Sequence, residues 1–286
     1  MTAVALRGYD RRMTSRMLKF GLIAYAWTWV TTLPLLLSGR GIVDWQIPGE
    51  WEGLGALGPL VAALVMLAGE SPEARQRFWQ SLTRWRGLPR AGVWLALVTP
   101  FVFLAIALGV QVARGGLPGW DELSTGRLGT LRGVVDLFVI GSLVQGFGEE
   151  TGWRGYLQPR LRTRLAPFAF TLALFPLWLF WHTPFFLARP EFGIAQFAGF
   201  SLGILSAGFF LTLIVELSGS VLLAVLFHAL LNATRNTALA VSTPAFLAYG
   251  LAVTVGAVGL AVYLYRRGRE PGVPAPLGLP AAATMT

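Results

Sequence analysis

Glu149 and Glu150 stand side by side in the run Gly146-Phe147-Gly148-Glu149-Glu150-Thr151-Gly152-Trp153-Arg154, at the end of an apolar stretch that starts near Val134. An ionised side chain is costly in hydrocarbon, so carboxylates in such a place mark a functional site by default. Glu150 and Arg154 are four residues apart and share a helix face, so they can pair. Glu149 is turned about 100° away from Glu150 by the 3.6-residue period. One carboxylate can therefore serve structure while its neighbour stays free for chemistry.

Two further polar clusters interrupt apolar segments. The chain has only two histidines, His182 and His228, and Asn232 follows His228 by four residues, on the same helix face. A carboxylate with an imidazole can bind water and take its proton, and an imidazole or an amide can hydrogen-bond a developing oxyanion. That is the minimum equipment for hydrolysing a peptide bond. Two histidines and a carboxylate could also form an open zinc site, although the histidines fall on different spans and show no local metal spacing. The absence of cysteine excludes disulfides, thiolate zinc sites and cysteine nucleophiles. Other intramembrane protease designs fit poorly: there is no His-Glu-x-x-His, no Gly-x-Ser-Gly before either histidine and no Gly-x-Gly-Asp.

These residues need helices to position them in a membrane. Of 286 residues 55% are hydrophobic and 13% charged, with a mean hydropathy of +0.61, which is a membrane-protein composition. The pattern predicts an all-α, polytopic transmembrane bundle of about eight spans, at 20–37, 53–68, 92–113, 134–156, 166–187, 194–217, 221–234 and 244–265. The site then lies among the central-to-C-terminal helices. The first span is too long for a signal-peptide core and is read as retained. Pro59 breaks the second, which is tolerable where neighbouring helices satisfy the freed backbone. The arginine-rich connector 73–90, with Phe78, Trp79 and Trp85, suits the membrane interface. Gly199, Gly203 and Ala207 form a small-residue stripe that predicts close helix packing. Asp136, four residues after Arg132, reads as a snorkelling partner, and Glu216 reads as interfacial. Residues 1–270 form one domain with its motif core at 133–236, and the Pro/Ala-rich tail 271–286 is expected to be disordered.

Depth and charge constrain the topology. Counted from the inner ends of their helices, Glu149 and His228 lie about 13 and 15 Å deep, at the same level. His182 counted from Leu165 lies about 26 Å deep, so the fifth span is expected to begin near Thr171, with 160–170 along the interface. With the N-terminus inside, the inner segments hold 17 of the 23 lysines and arginines and the outer ones 6. This split places both termini in the cytoplasm of a multi-pass cell-membrane protein. It also accounts for the net charge of +9 without nucleic-acid binding.

The pattern resembles the CPBP family of intramembrane proteases, which includes type II CAAX prenyl endopeptidases and bacteriocin-processing or self-immunity proteins. The family's Glu-Glu-x-x-x-Arg stands here as Glu149, Glu150 and Arg154. Its Phe-x-x-x-His stands as Trp178 to His182, with tryptophan in place of phenylalanine, and its His-x-x-x-Asn as His228 and Asn232. The resemblance implies that Glu149 and His182 activate water, that His228 and Asn232 stabilise the oxyanion, and that Glu150, Arg154 and Trp178 support the site. It implies an intramembrane endopeptidase acting on a hydrophobic, lipidated or membrane-bound peptide, with membrane lipids as its other partner. Both a metal-free mechanism and one using a divalent metal such as zinc, held by His182, His228 and Glu149, stay open. The competing reading is a non-catalytic protein of the same fold that acts as an immunity, binding or regulatory factor. A transporter is a weaker third, since no paired broken-helix repeat is visible.

Overall fold

Apolar runs as long as a bilayer core dictate helices, because a helix satisfies its own backbone polar groups where water is absent. The computed structural model describes residues 3–119, 133 and 142–268, and among these the chain is helical with no strand. Six stretches are long and apolar enough to cross a membrane: Thr14–Gly39, Gly49–Leu67, Arg90–Gly115, Pro167–Leu187, Ile194–Ser218 and Thr243–Arg267. They coincide with six of the eight expected spans. The first residues of the expected fourth span, 134–141, lie outside the described residues, as do Arg132, Asp136 and the tail 271–286. The seventh is a helix over Val221–Val241, but His228, Asn232, Arg235 and Asn236 make it more polar than the six.

The first helix, α1 (Ala3–Gly39), packs along α2 (Glu52–Ala56) and α3 (Gly58–Leu67). The break between α2 and α3 falls where Pro59 begins the new helix, and α1 satisfies the freed carbonyls. Trp27 Nε1–H donates to Leu54 O at 2.8 Å, and Thr28 Oγ1–H donates to Gly55 O at 2.8 Å. The connector forms α4 (Pro72–Thr83), capped by Ser71 Oγ, which accepts the Ala74 N–H at 3.3 Å. It buries Phe78 and exposes Trp79, with Trp85 exposed just beyond, the amphipathic form expected at an interface. The third span divides at Val98 into α5 (Arg90–Leu97) and α6 (Thr99–Gly115), ahead of Pro100.

The site-bearing helix α7 (Gln145–Glu150) runs through a π-helical stretch, Thr151–Leu157, into α8 (Gln158–Leu161). Such stretches recur at functional sites. It lies backbone to backbone against α2 and α3: a Cβ on Gly148 would stand 2.5 Å from Ala56 O, and one on Gly152 would overlap Pro59. These two glycines fix the level at which Glu149 and Glu150 enter the bundle. The remaining helices are α9 (Pro167–Trp181), α10 (Thr183–Leu187), α11 (Ile194–Ser218), α12 (Val221–Val241) and α13 (Thr243–Arg267). Helix α12 lies at the centre, packed by α5, α6, α7, α11 and α13.

Three expectations need correction. A Cβ on Gly199 or Gly203 would meet nothing within 4 Å among the described residues. The N-terminal half of α11 packs through Phe200, whose ring meets His182 and Phe186, while Ile194 and Leu202 are exposed, so the face that carries Gly199 and Gly203 is not a packing surface among the described residues. Glu216 is buried rather than interfacial, because Arg162 Nε and Nη2 donate to its oxygens at 2.7 and 2.9 Å and Gln158 Nε2 donates at 3.2 Å. Finally, α9 begins at Pro167 and passes unbroken through Thr171, whose hydroxyl donates to Thr212 Oγ1 at 2.8 Å.

The basic segment that starts within α8 is thus clamped at two points. Arg160 meets Glu70 at 2.9 Å, where Arg16 at 3.3 Å and the Tyr156 hydroxyl at 3.1 Å converge on the same carboxylate. Burial works to raise the Glu70 carboxyl, but Arg160 and Arg16 outweigh it and hold the group below the usual carboxylate range.

Candidate active site

Six of the seven residues that the three motifs single out meet in one buried cluster formed by α7, the π-helical stretch, the α9–α10 junction and α12, and Asn232 lies one turn from His228 on α12. Glu149 is 3% exposed, and Glu150 and Arg154 are fully buried. The expected local pair forms: Arg154 Nη1 lies 3.2 Å from Glu150 Oε1 and 3.1 Å from Oε2. The contact uses one nitrogen rather than a two-pronged fork. The guanidinium instead lies over the Trp178 ring, 4.3 Å from its centroid. Its Nε and Nη2 have no hydrogen-bond partner among the described residues.

Glu150 has a second partner that spacing alone does not show. His228 Nδ1 lies 2.7 Å from Glu150 Oε1, and a carboxylate only accepts, so Nδ1 carries the proton and donates. This commits Nδ1 and leaves His228 Nε2 as the nitrogen available to another group. Asn232, one turn further along α12, donates from Nδ2 to Gln145 Oε1 at 3.4 Å. Gln145 is not among the residues that the motifs single out. Its place one turn before Glu149, on the same face, is the signal that reveals it.

Glu149 is held differently. Trp178 Nε1–H donates to Glu149 Oε2 at 2.6 Å, a bond that the phenylalanine of the resembled motif cannot make. The tryptophan therefore orients one carboxylate with its edge and covers the arginine of the other with its face. His182 Nδ1 lies 2.7 Å from Trp178 O, and a carbonyl only accepts, so Nδ1–H is the donor and Nε2 presents its lone pair. That Nε2 stands 3.8 Å from Glu149 Oε2, beyond direct hydrogen bonding and within reach of one bridging water. His182 reaches Glu149 even though α9 is unbroken. Helical side chains lean toward the N-terminus, and a count along the axis takes no account of helix tilt. Beyond His182, Phe186 and Phe200 close the site, with ring centroids 6.0 and 4.9 Å from the imidazole.

The donor set does not fit a resident metal. No group of three or more His, Cys, Asp or Glu able to hold a metal ion occurs among the described residues. The zinc set of His182, His228 and Glu149 is therefore not assembled, and no step is derived through a metal.

The chain is a multi-pass membrane protein of the all-α class. The family model described as type II CAAX prenyl endopeptidase Rce1-like matches residues 131–234, the segment that contains Glu149, Glu150, Arg154, Trp178, His182, His228 and Asn232. This agrees with the resemblance that the motifs carry. No curated protein matches the chain.

Proposed function

We propose that the protein is an intramembrane endopeptidase that cuts a hydrophobic, lipidated or membrane-anchored peptide. The observation that carries this reading is the 3.8 Å separation of Glu149 Oε2 and His182 Nε2, two acceptors that one water can bridge. A water there donates one O–H to each and turns its lone pairs toward a carbonyl carbon. Glu149 takes the water's proton as the water oxygen bonds to that carbon, and passes it to the leaving amine as the C–N bond breaks. His228 Nε2–H, in an imidazolium balanced by Glu150, and Asn232 Nδ2–H donate to the oxyanion in the tetrahedral intermediate. Glu150, Arg154 and Trp178 hold these groups in place. The similarity to prenyl endopeptidases supports a lipidated substrate, and the apolar wall around His182 is compatible with one.

Reconstitution in proteoliposomes with prenylated and unprenylated membrane peptides tests the function by mass spectrometry. Two new fragments whose masses sum to the peptide plus one water are expected, and none with Glu149→Ala. Tight peptide binding without fragments from the folded wild type would instead make the protein a binder. Substrate flux across sealed vesicles would make it a transporter.

The reading includes both termini in the cytoplasm, on the strength of the 17-to-6 charge split. Reporter fusions should report the inside at each end, and an external signal at either terminus sinks this topology.

A further inference from the structure

Five arginines crowd the connector that joins two of the membrane-crossing stretches. Residues 71–90 hold Arg75, Arg77, Arg84, Arg86 and Arg90 against a single acid, Glu73. All five are exposed, and none has a carboxylate within ion-pair distance among the described residues. The connector lies at one end of the bundle, since Gly49–Leu67 ends just before it and Arg90–Gly115 begins at its last residue. Glu70, two residues before α4, holds Arg16 of α1 and Arg160 of α8 at that same end. Two exposed indoles stand among the arginines. Arg75 and Trp79 are four apart on one flank of α4, and the Arg86 guanidinium lies 4.5 Å from the Trp85 ring centroid.

Guanidinium forks match phosphate oxygens, and indoles settle at the level of lipid headgroups. We infer that α4 and the turn after it bind the phosphate headgroups of anionic lipids, and that this binding braces the site. The indoles decide for a lipid over a soluble anion, because a free phosphate gains nothing from them. A basic amphipathic segment next to a membrane span is drawn to an anionic leaflet in the same way. The opposite face of α4 reaches both helical segments that carry the site. Phe78 packs on the π-helical stretch, where a Cβ on Gly155 would stand 3.1 Å from Phe78 Cε2. Just past α4, Arg84 O accepts the Ser220 Oγ–H at 2.7 Å, and Ser220 Oγ caps α12 by accepting the Leu223 N–H at 3.3 Å. Headgroups that hold the connector therefore also hold the stretch after Glu150 and the first turn of the helix that carries His228.

Native mass spectrometry of the full chain, released from detergent, measures the affinity of added lipid. Phosphatidylglycerol should bind roughly tenfold more tightly than phosphatidylcholine with the same acyl chains. The combined variant Arg75→Gln, Arg77→Gln, Arg84→Gln, Arg86→Gln should lose that preference, and its four exposed positions leave the core untouched. A second variant, Arg266→Gln with Arg267→Gln, removes a basic pair from the end of α13 and should keep the preference. A wild type that binds both lipids equally overturns the proposal, and so does a preference that survives the four substitutions. An equal loss in the α13 variant also overturns it, since selectivity would then follow net charge alone. Loss of the preference in a modest excess of inorganic phosphate would assign the arginines to a soluble anion instead. The brace is read by thermal unfolding: phosphatidylglycerol should raise the melting temperature of the wild type and not that of the four-arginine variant. Lipid bound at the arginines with no such rise overturns the brace. None of these measurements uses turnover, so their failure and the failure of the peptidase reading are told apart.

Discussion

Glu149→Gln is expected to lower turnover by about two to four orders of magnitude, the usual contribution of a positioned general base. The substitution keeps the shape of the side chain and an oxygen that can accept the Trp178 Nε1–H, now 2.6 Å from Glu149 Oε2. It removes the capacity to take a proton from water. Peptide affinity and the melting temperature in detergent should therefore stay near those of the wild type while the rate collapses, the signature of an interaction used in the transition state. Steady-state kinetics beside a binding titration check this. A variant that loses affinity and rate together would make Glu149 a substrate-binding group.

Arg154→Ala should give the largest loss of stability. Its guanidinium is fully buried between Glu150, at 3.1 Å, and the Trp178 ring, and its removal strands a buried carboxylate. Breaking one side of such a pair costs about 3–5 kcal/mol. Glu150 keeps the His228 Nδ1–H at 2.7 Å, which places the expected loss toward the lower end of that range. Arg154→Lys should restore only part, because an ammonium restores the charge but cannot stack flat on the indole. Thermal unfolding in detergent reads both variants. If Arg154→Ala melts like the wild type while activity disappears, the arginine acts on the substrate rather than on the fold.

What the sequence made legible was local. The spacings Glu150 to Arg154 and His228 to Asn232 follow from helix periodicity, and apolar run length places most spans. The contacts that assemble the site join distant segments, and no local period encodes them. Glu150 meets His228 across 78 residues, Glu149 meets Trp178 across 29, and Glu216 meets Arg162 across 54. Trp178 illustrates the limit: aromatic character is readable from the motif, but the indole N–H aimed at Glu149 depends on how α9 rotates against α7. The stripe at Gly199 and Gly203 illustrates the converse. Small residues at helical spacing permit close approach, yet a partner must stand there, and none does among the described residues.

The central claim is that the two adjacent carboxylates divide the work, Glu149 taking the proton and Glu150 holding Arg154 and His228. The most direct measurement is turnover of one membrane peptide by Glu149→Gln and by Glu150→Gln, each at matched folded fraction. The account predicts that Glu149→Gln is inactive though stable, and that Glu150→Gln is less stable yet still cuts. A Glu150→Gln protein that is folded and inactive, beside a Glu149→Gln protein that still cleaves, would contradict it and exchange the two roles.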